Sequence, residues 1–132
     1  MRMDEYAYLL KRSQEFYESA MMQFNKGFYG LAAFSLEQSL QLLLKAKLLK
    51  CGAGYPRVHG VRKLLKLLSE IIEGDGKDVL EEALRKYSLE LALLEDIYIT
   101  ARYVPKEFTA DDVRRLKKVV DEVMEAVRGI TC

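Results

Sequence analysis

Three groups of residues in this 132-residue chain carry functional groups at spacings that chemistry could use. The first is Tyr98-Ile99-Thr100-Ala101-Arg102-Tyr103-Val104-Pro105, which gathers a guanidinium fork and two phenols at the end of a helical pattern, just before a proline. Arg102 could grip a phosphate with two parallel N–H donors while Tyr103 stacks on a base or closes a pocket. Equally, Arg102 could cap the carboxyl end of the helix and Tyr103 anchor the loop. The second group is Glu37, Gln41 and Lys45, which follow one another at four-residue steps with Gln38 and Phe34 alongside. Such a stripe offers donors and acceptors to a ligand or a second subunit, but its default reading is the wet side of a helix. The third is His59, the lone histidine, at a helix entrance. There it could satisfy a backbone group, contact Arg102 or meet a ligand.

Several mechanisms lack their parts. A di-iron bundle needs two Glu-x-x-His repeats, and no Glu stands three residues before His59. Cys51 and Cys132 form no close-spaced Cys-x-x-Cys or Cys–His pattern, so neither a metal nor any other cofactor is implied. The phosphate loop Gly-x-x-x-x-Gly-Lys and the serine elbow Gly-x-Ser-x-Gly are both missing from the sequence.

The elements that must position these groups are all helical. The stretch Tyr29 to Lys50 is the organising one: Tyr29, Ala32, Ala33, Leu36, Leu40, Leu43 and Leu44 form one wide apolar face, and Leu31, Leu42 and Leu49 a second. Two apolar sides make it central, either enclosed within one subunit or partly covered by another. Before it, Tyr6, Leu9, Leu10, Ser13, Tyr17, Ala20 and Phe24 mark a long first helix, broken at Asn25-Lys26-Gly27; so short a link makes the two helices antiparallel neighbours. After it, two glycines and Pro56 end the helix, and Val61, Leu64, Leu65, Leu68, Ile71 and Ile72 mark a shorter third. Leu80, Leu84, Tyr87, Leu91, Leu94 and Tyr98 predict a single fourth helix from Lys77 or Asp78 to about Ala101. Thr109-Ala110-Asp111-Asp112 reads as a cap for a fifth, ending at Gly129. The expectation is an all-α single domain over residues 1–132, an up-and-down four-helix bundle with an additional short helix, five helices in all.

Charge and composition narrow the partners. Lys and Arg total 21 against 20 for Asp and Glu, so the net charge of +1 gives no general attraction to nucleic acid or anionic lipid, and any phosphate site must be local. The apolar runs are far shorter than the roughly 20 residues a bilayer span needs, and charge arrives too early for a secretory leader, so a cytoplasmic protein without a membrane partner is expected. Cys51 and Cys132 could meet in space, but free thiols are the expectation for such a chain.

The order and spacing of these pieces resemble the HEPN family, small helical domains named for their occurrence in higher eukaryotes and prokaryotes. The resemblance rests on Gly27-Phe28-Tyr29 at the end of the first helix, Ala32-Ala33-Phe34-Ser35-Leu36-Glu37-Gln38 running on to Lys45-Ala46, His59-Gly60-Val61 with Leu64-Leu65, and Tyr98-Ile99 through Arg102-Tyr103 to Pro105. The last is similar to the ending of the branch associated with minimal nucleotidyltransferases. The resemblance implies a homodimer that binds a nucleotide or RNA, or works beside a small nucleotidyltransferase, with Arg102, Tyr103 and His59 nearest the site and Lys45 and Glu37 as further candidates. Some relatives are toxin-like ribonucleases in which an Arg is followed after four to six residues by a His. Here the positions after Arg102 hold Glu107, Phe108 and Thr109, and those before His59 hold Gly52, Ala53 and Gly54. A non-catalytic domain is therefore expected, with a divergent ribonuclease and a plain assembly module as the alternatives.

Overall fold

Gly27 adopts φ 79°, a left-handed conformation that costs glycine little, and it reverses the chain between helix α1 (Met3–Asn25) and helix α2 (Tyr29–Lys50). In this computed structural model, which describes residues 3–54, 57–100 and 107–132, the two helices run antiparallel along their full lengths. The pairing steps down one as it climbs the other: Ser35 Oγ donates to Gln23 Oε1 at 2.7 Å, Ser13 and Ser39 each donate a hydroxyl to the other's carbonyl at 2.7 Å, and Lys50 sits over the Tyr6 ring. The paired serines are buried, and each hydroxyl is satisfied across the seam by the opposite backbone.

The remaining helices are α3 (Val61–Ile71), α4 (Asp75–Lys86), α5 (Ser88–Thr100) and α6 (Ala110–Arg128). Helix α2 packs against α1, α3, α5 and α6, and fifteen of its 22 residues are buried. Its Leu36, Leu40, Leu44 and Leu48 join Leu64, Leu65 and Leu68 of α3, Leu91, Leu94 and Ile97 of α5, and the valines of α6 in one core. A smaller cluster, Leu9 with Ala46 and Leu49, closes the far end of the α1–α2 pair. The expected cap of the last helix is a full capping box: Thr109 Oγ1 accepts from the backbone N–H of Asp112 at 3.1 Å, and the Asp112 carboxylate accepts from that of Thr109 at 2.9 Å.

Two expectations are corrected. The structure has six helices among the described residues rather than five, because the fourth breaks at Tyr87, whose backbone (φ −109°, ψ 22°) leaves helical geometry. The break lets α4 turn Leu80 and Ala83 inward while α5 independently turns Leu91, Leu94 and Ile97 inward. No glycine or proline marks the joint, and the apolar period runs on across it. Of the second apolar face of α2, which could be enclosed or meet a partner, Leu49 is buried and Leu31 is 54% exposed. Finally, Cys51 and Cys132 are not free thiols. They form a disulfide with their Cα atoms 5.1 Å apart, a separation within the ordinary range for such a bond.

Candidate functional site

Helical spacing brings the polar residues of α2 onto one line, and packing then removes that line from water. Glu37, Gln41 and Lys45 are 0, 3 and 4% exposed, so the expected wet face is instead an internal polar row covered by the surrounding helices. Burial forces its members to satisfy one another. Gln38 Nε2 donates to Glu37 Oε1 at 2.8 Å and Gln41 Nε2 to Glu37 Oε2 at 2.9 Å; Lys45 Nζ donates to Gln41 Oε1 at 3.0 Å. Loss of water around Glu37 holds its pKa up at about 7, against the opposing pull of the two amides and the Lys45 charge. Burial likewise lowers the pKa of Lys45.

The row ends at the surface. Lys45 Nζ lies 2.9 Å from Nδ1 of His59, which stands on the loop just before α3 and is exposed. The imidazole is stacked on Tyr98 of α5, ring centroids 5.7 Å apart at 28°. The pKa of His59 is lowered, first by desolvation and then by the neighbouring Lys45 charge.

His59 and Tyr98 form one side of a groove between α3 and α5 with a volume of about 690 Å3, within the size range of small-molecule sites. The walls are apolar where Val58, Leu84 and Ile99 line them. Arg62, Lys63 and Lys66 line the α3 side, and Glu95 of α5 is the acid among them. Glu95 Oε1 accepts from Arg62 Nε at 2.5 Å. Gly60 makes room for that carboxylate: a Cβ there would stand 3.0 Å from Glu95 Oε2. The groove can therefore hold a ligand with a planar or apolar part against Tyr98 and Ile99 and an anionic part toward α3.

Of the residues singled out in the sequence, the structure joins Glu37, Lys45 and His59 into one connected row, which the sequence places on separate segments. Arg102 and Tyr103 lie outside the described residues. Arg62, Lys63, Lys66 and Glu95 were missed by the sequence reading. The signal was present: the three cations fall on the polar side of α3, opposite Val61, Leu64, Leu65 and Leu68. Among the described residues, no group of three or more His, Cys, Asp or Glu side chains is placed to hold a metal ion, and no helix is long and apolar enough to cross a membrane.

Comparison with known proteins identifies the architecture. A family model described as the HEPN domain matches residues 6–130. Among solved structures, the crystal structure of TT1696 from Thermus thermophilus superposes with a TM-score of 0.73 over 93% of this chain and 95% of that one. The two share 20% sequence identity, so the likeness is one of fold. No functionally curated protein matches the chain.

Proposed function

The chain belongs to the HEPN domain family, and from that premise we propose that it is a non-catalytic, dimerising domain that binds a nucleotide, or the end of a nucleic-acid chain, in the groove between α3 and α5. The observation that carries this reading is the groove itself: Arg62, Lys63 and Lys66 supply positive charge on one side, and Tyr98 and His59 supply aromatic surface on the other. An anionic phosphate with an attached base matches both sides at once. With a net charge of only +1 over the whole chain, attraction for phosphate has to be local, and the three cations on one side of the groove meet that requirement. Arg102 and Tyr103, two and three residues after the end of α5, are proposed as further contacts on their residue types. A minimal nucleotidyltransferase is the proposed protein partner, on the family's habit alone. Dimerisation is supported by the exposed side chains of Met22, Phe28 and Leu31, clustered in sequence around the α1–α2 turn.

Thermal unfolding with AMP and short oligoribonucleotides tests the reading. A ligand at a hundred times its Kd should stabilise the fold by about 2.7 kcal/mol, several degrees of Tm for a domain of this size. The R62A/K63A/K66A variant should keep its helical signal and lose the shift. Failure of every nucleotide to stabilise the unmodified protein, or equal stabilisation of the variant, would reject the groove as the site. Sedimentation tests the dimer, and a monomer at micromolar concentration removes that half of the proposal.

A ribonuclease reading has one observation in its favour, the presence of His59 and Arg62 in the same groove. Incubation with assorted RNAs should give no cleavage. Cleavage that is lost in H59A would replace the binding reading with a catalytic one.

A further inference from the structure

An ammonium group donates hydrogen bonds and accepts none. With Lys45 as an ammonium, the 2.9 Å contact between its Nζ and His59 Nδ1 needs a lone pair on Nδ1, which makes the ring neutral and places its proton on Nε2. Lys45 is not free to turn elsewhere, since it is buried and its ammonium also bonds Gln41 Oε1 at 3.0 Å. That bond orients the Gln41 amide, whose NH2 is directed to Glu37 Oε2. Donors thus run one way from Lys45 to the buried carboxylate, and another of the ammonium's directions is toward the imidazole. Among the described residues, Nδ1 is the ring atom of His59 that is held, while Nε2 belongs to an exposed ring lining the groove.

We propose that Lys45 is a positioning residue for His59, fixing the imidazole as the Nε2–H tautomer so that the groove takes its ligand through an oxygen acceptor hydrogen-bonded to that N–H. The ligand part of this inference rests on the groove reading above; the tautomer does not. Phosphate and sugar oxygens are the acceptors a nucleotide would offer. Among the described residues, the charged and titratable groups around the ring are Lys45 and behind it Glu37 from α2, and, lining the same groove, Arg62, Lys63 and Lys66 from α3 and Glu95 and Tyr98 from α5. The Lys45 charge opposes a second proton on the ring, and the carboxylate of Glu95 is engaged by Arg62. His59 therefore acts as a neutral donor through the neutral pH range, and not as a cation.

The chain has one histidine, so its imidazole nitrogens are observed without ambiguity by nitrogen-15 NMR. The unmodified protein should show Nε2 protonated, Nδ1 unprotonated, and a titration midpoint below the ordinary histidine value. In K45M the tautomers should mix and the midpoint should rise. If K45M fails to fold, E37Q/K45M removes the charge from both ends of the buried row and carries the same reading. AMP binding at pH 7.5 should weaken about tenfold in the folded variant, the equivalent of one misplaced hydrogen bond. Unchanged tautomer and midpoint in either folded variant would overturn the assignment of Lys45. The nitrogen signals are read without ligand, so failure of AMP to bind would overturn the nucleotide reading while leaving Lys45 and His59 to be judged by NMR.

Discussion

Burial of the Glu37 side chain ties the folding of this molecule to pH. Without water its ionised form is disfavoured, and its pKa rises from 4.5 to about 7. Below pH 4.5 both folded and unfolded chains hold the proton. As pH rises from there to about 7, the unfolded chain releases it and the folded chain does not, so folding loses stability through that window and not outside it. At about 1.4 kcal/mol per unit, the loss is roughly 3 kcal/mol. E37Q cannot ionise and should lack this slope. Urea denaturation at pH 5 and pH 8 should find the variant gaining on the unmodified protein by roughly 2–3 kcal/mol across that interval. A difference between the two proteins that is the same at both pH values would mean that Glu37 ionises in the fold as it does in water. At this scale the sequence was half legible. The four-residue spacing of Glu37, Gln41 and Lys45 put them on one face, but whether that face meets water depends on what packs over it. The apolar Leu48, which falls on the same side of the helix and is buried in the fold, was the available sign that it does not.

At the scale of elements, boundaries written in side-chain chemistry were readable and those written in tertiary packing were not. Thr109 and Asp112 announce the start of α6 because each supplies an oxygen that the other's backbone N–H needs, a purely local exchange. The left-handed turn at Gly27 is local in the same sense. The joint at Tyr87 is not. Two helices of 12 and 13 residues and one long helix have the same apolar period there, and only the rest of the core decides between them. The local device can be tested directly. T109A removes one half of the capping box, the hydroxyl oxygen that accepts from the Asp112 N–H, which should cost about 1 kcal/mol of folding stability. Chemical denaturation should show a lower midpoint with an unchanged slope. No loss would mean that water or a neighbouring group serves that N–H equally well.

For the molecule as a whole, the cysteines add a constraint that periodicity could not reveal. Cys51 lies just after α2 and Cys132 beyond α6, so the bond closes a loop of chain, 81 residues in sequence separation, that contains α3, α4, α5 and α6. Four of the six helices are therefore tethered at both ends to the carboxyl end of α2, and the loop that presents His59 starts from that tether. A cross-link of this span acts mainly on the unfolded chain, which it prevents from expanding, and contributes typically about 2–4 kcal/mol. C132S, or reduction of the unmodified protein, should lower the urea midpoint accordingly. The helical signal under native conditions should persist, because the buried members of the core around α2 are all residues other than cysteine, Cys51 only packing against its edge. Reduction should also steepen the denaturant dependence, since the open unfolded chain exposes more surface than the closed one. A reduced protein with the same midpoint and the same slope would show that the two sulfurs, though brought together by the fold, do not hold it.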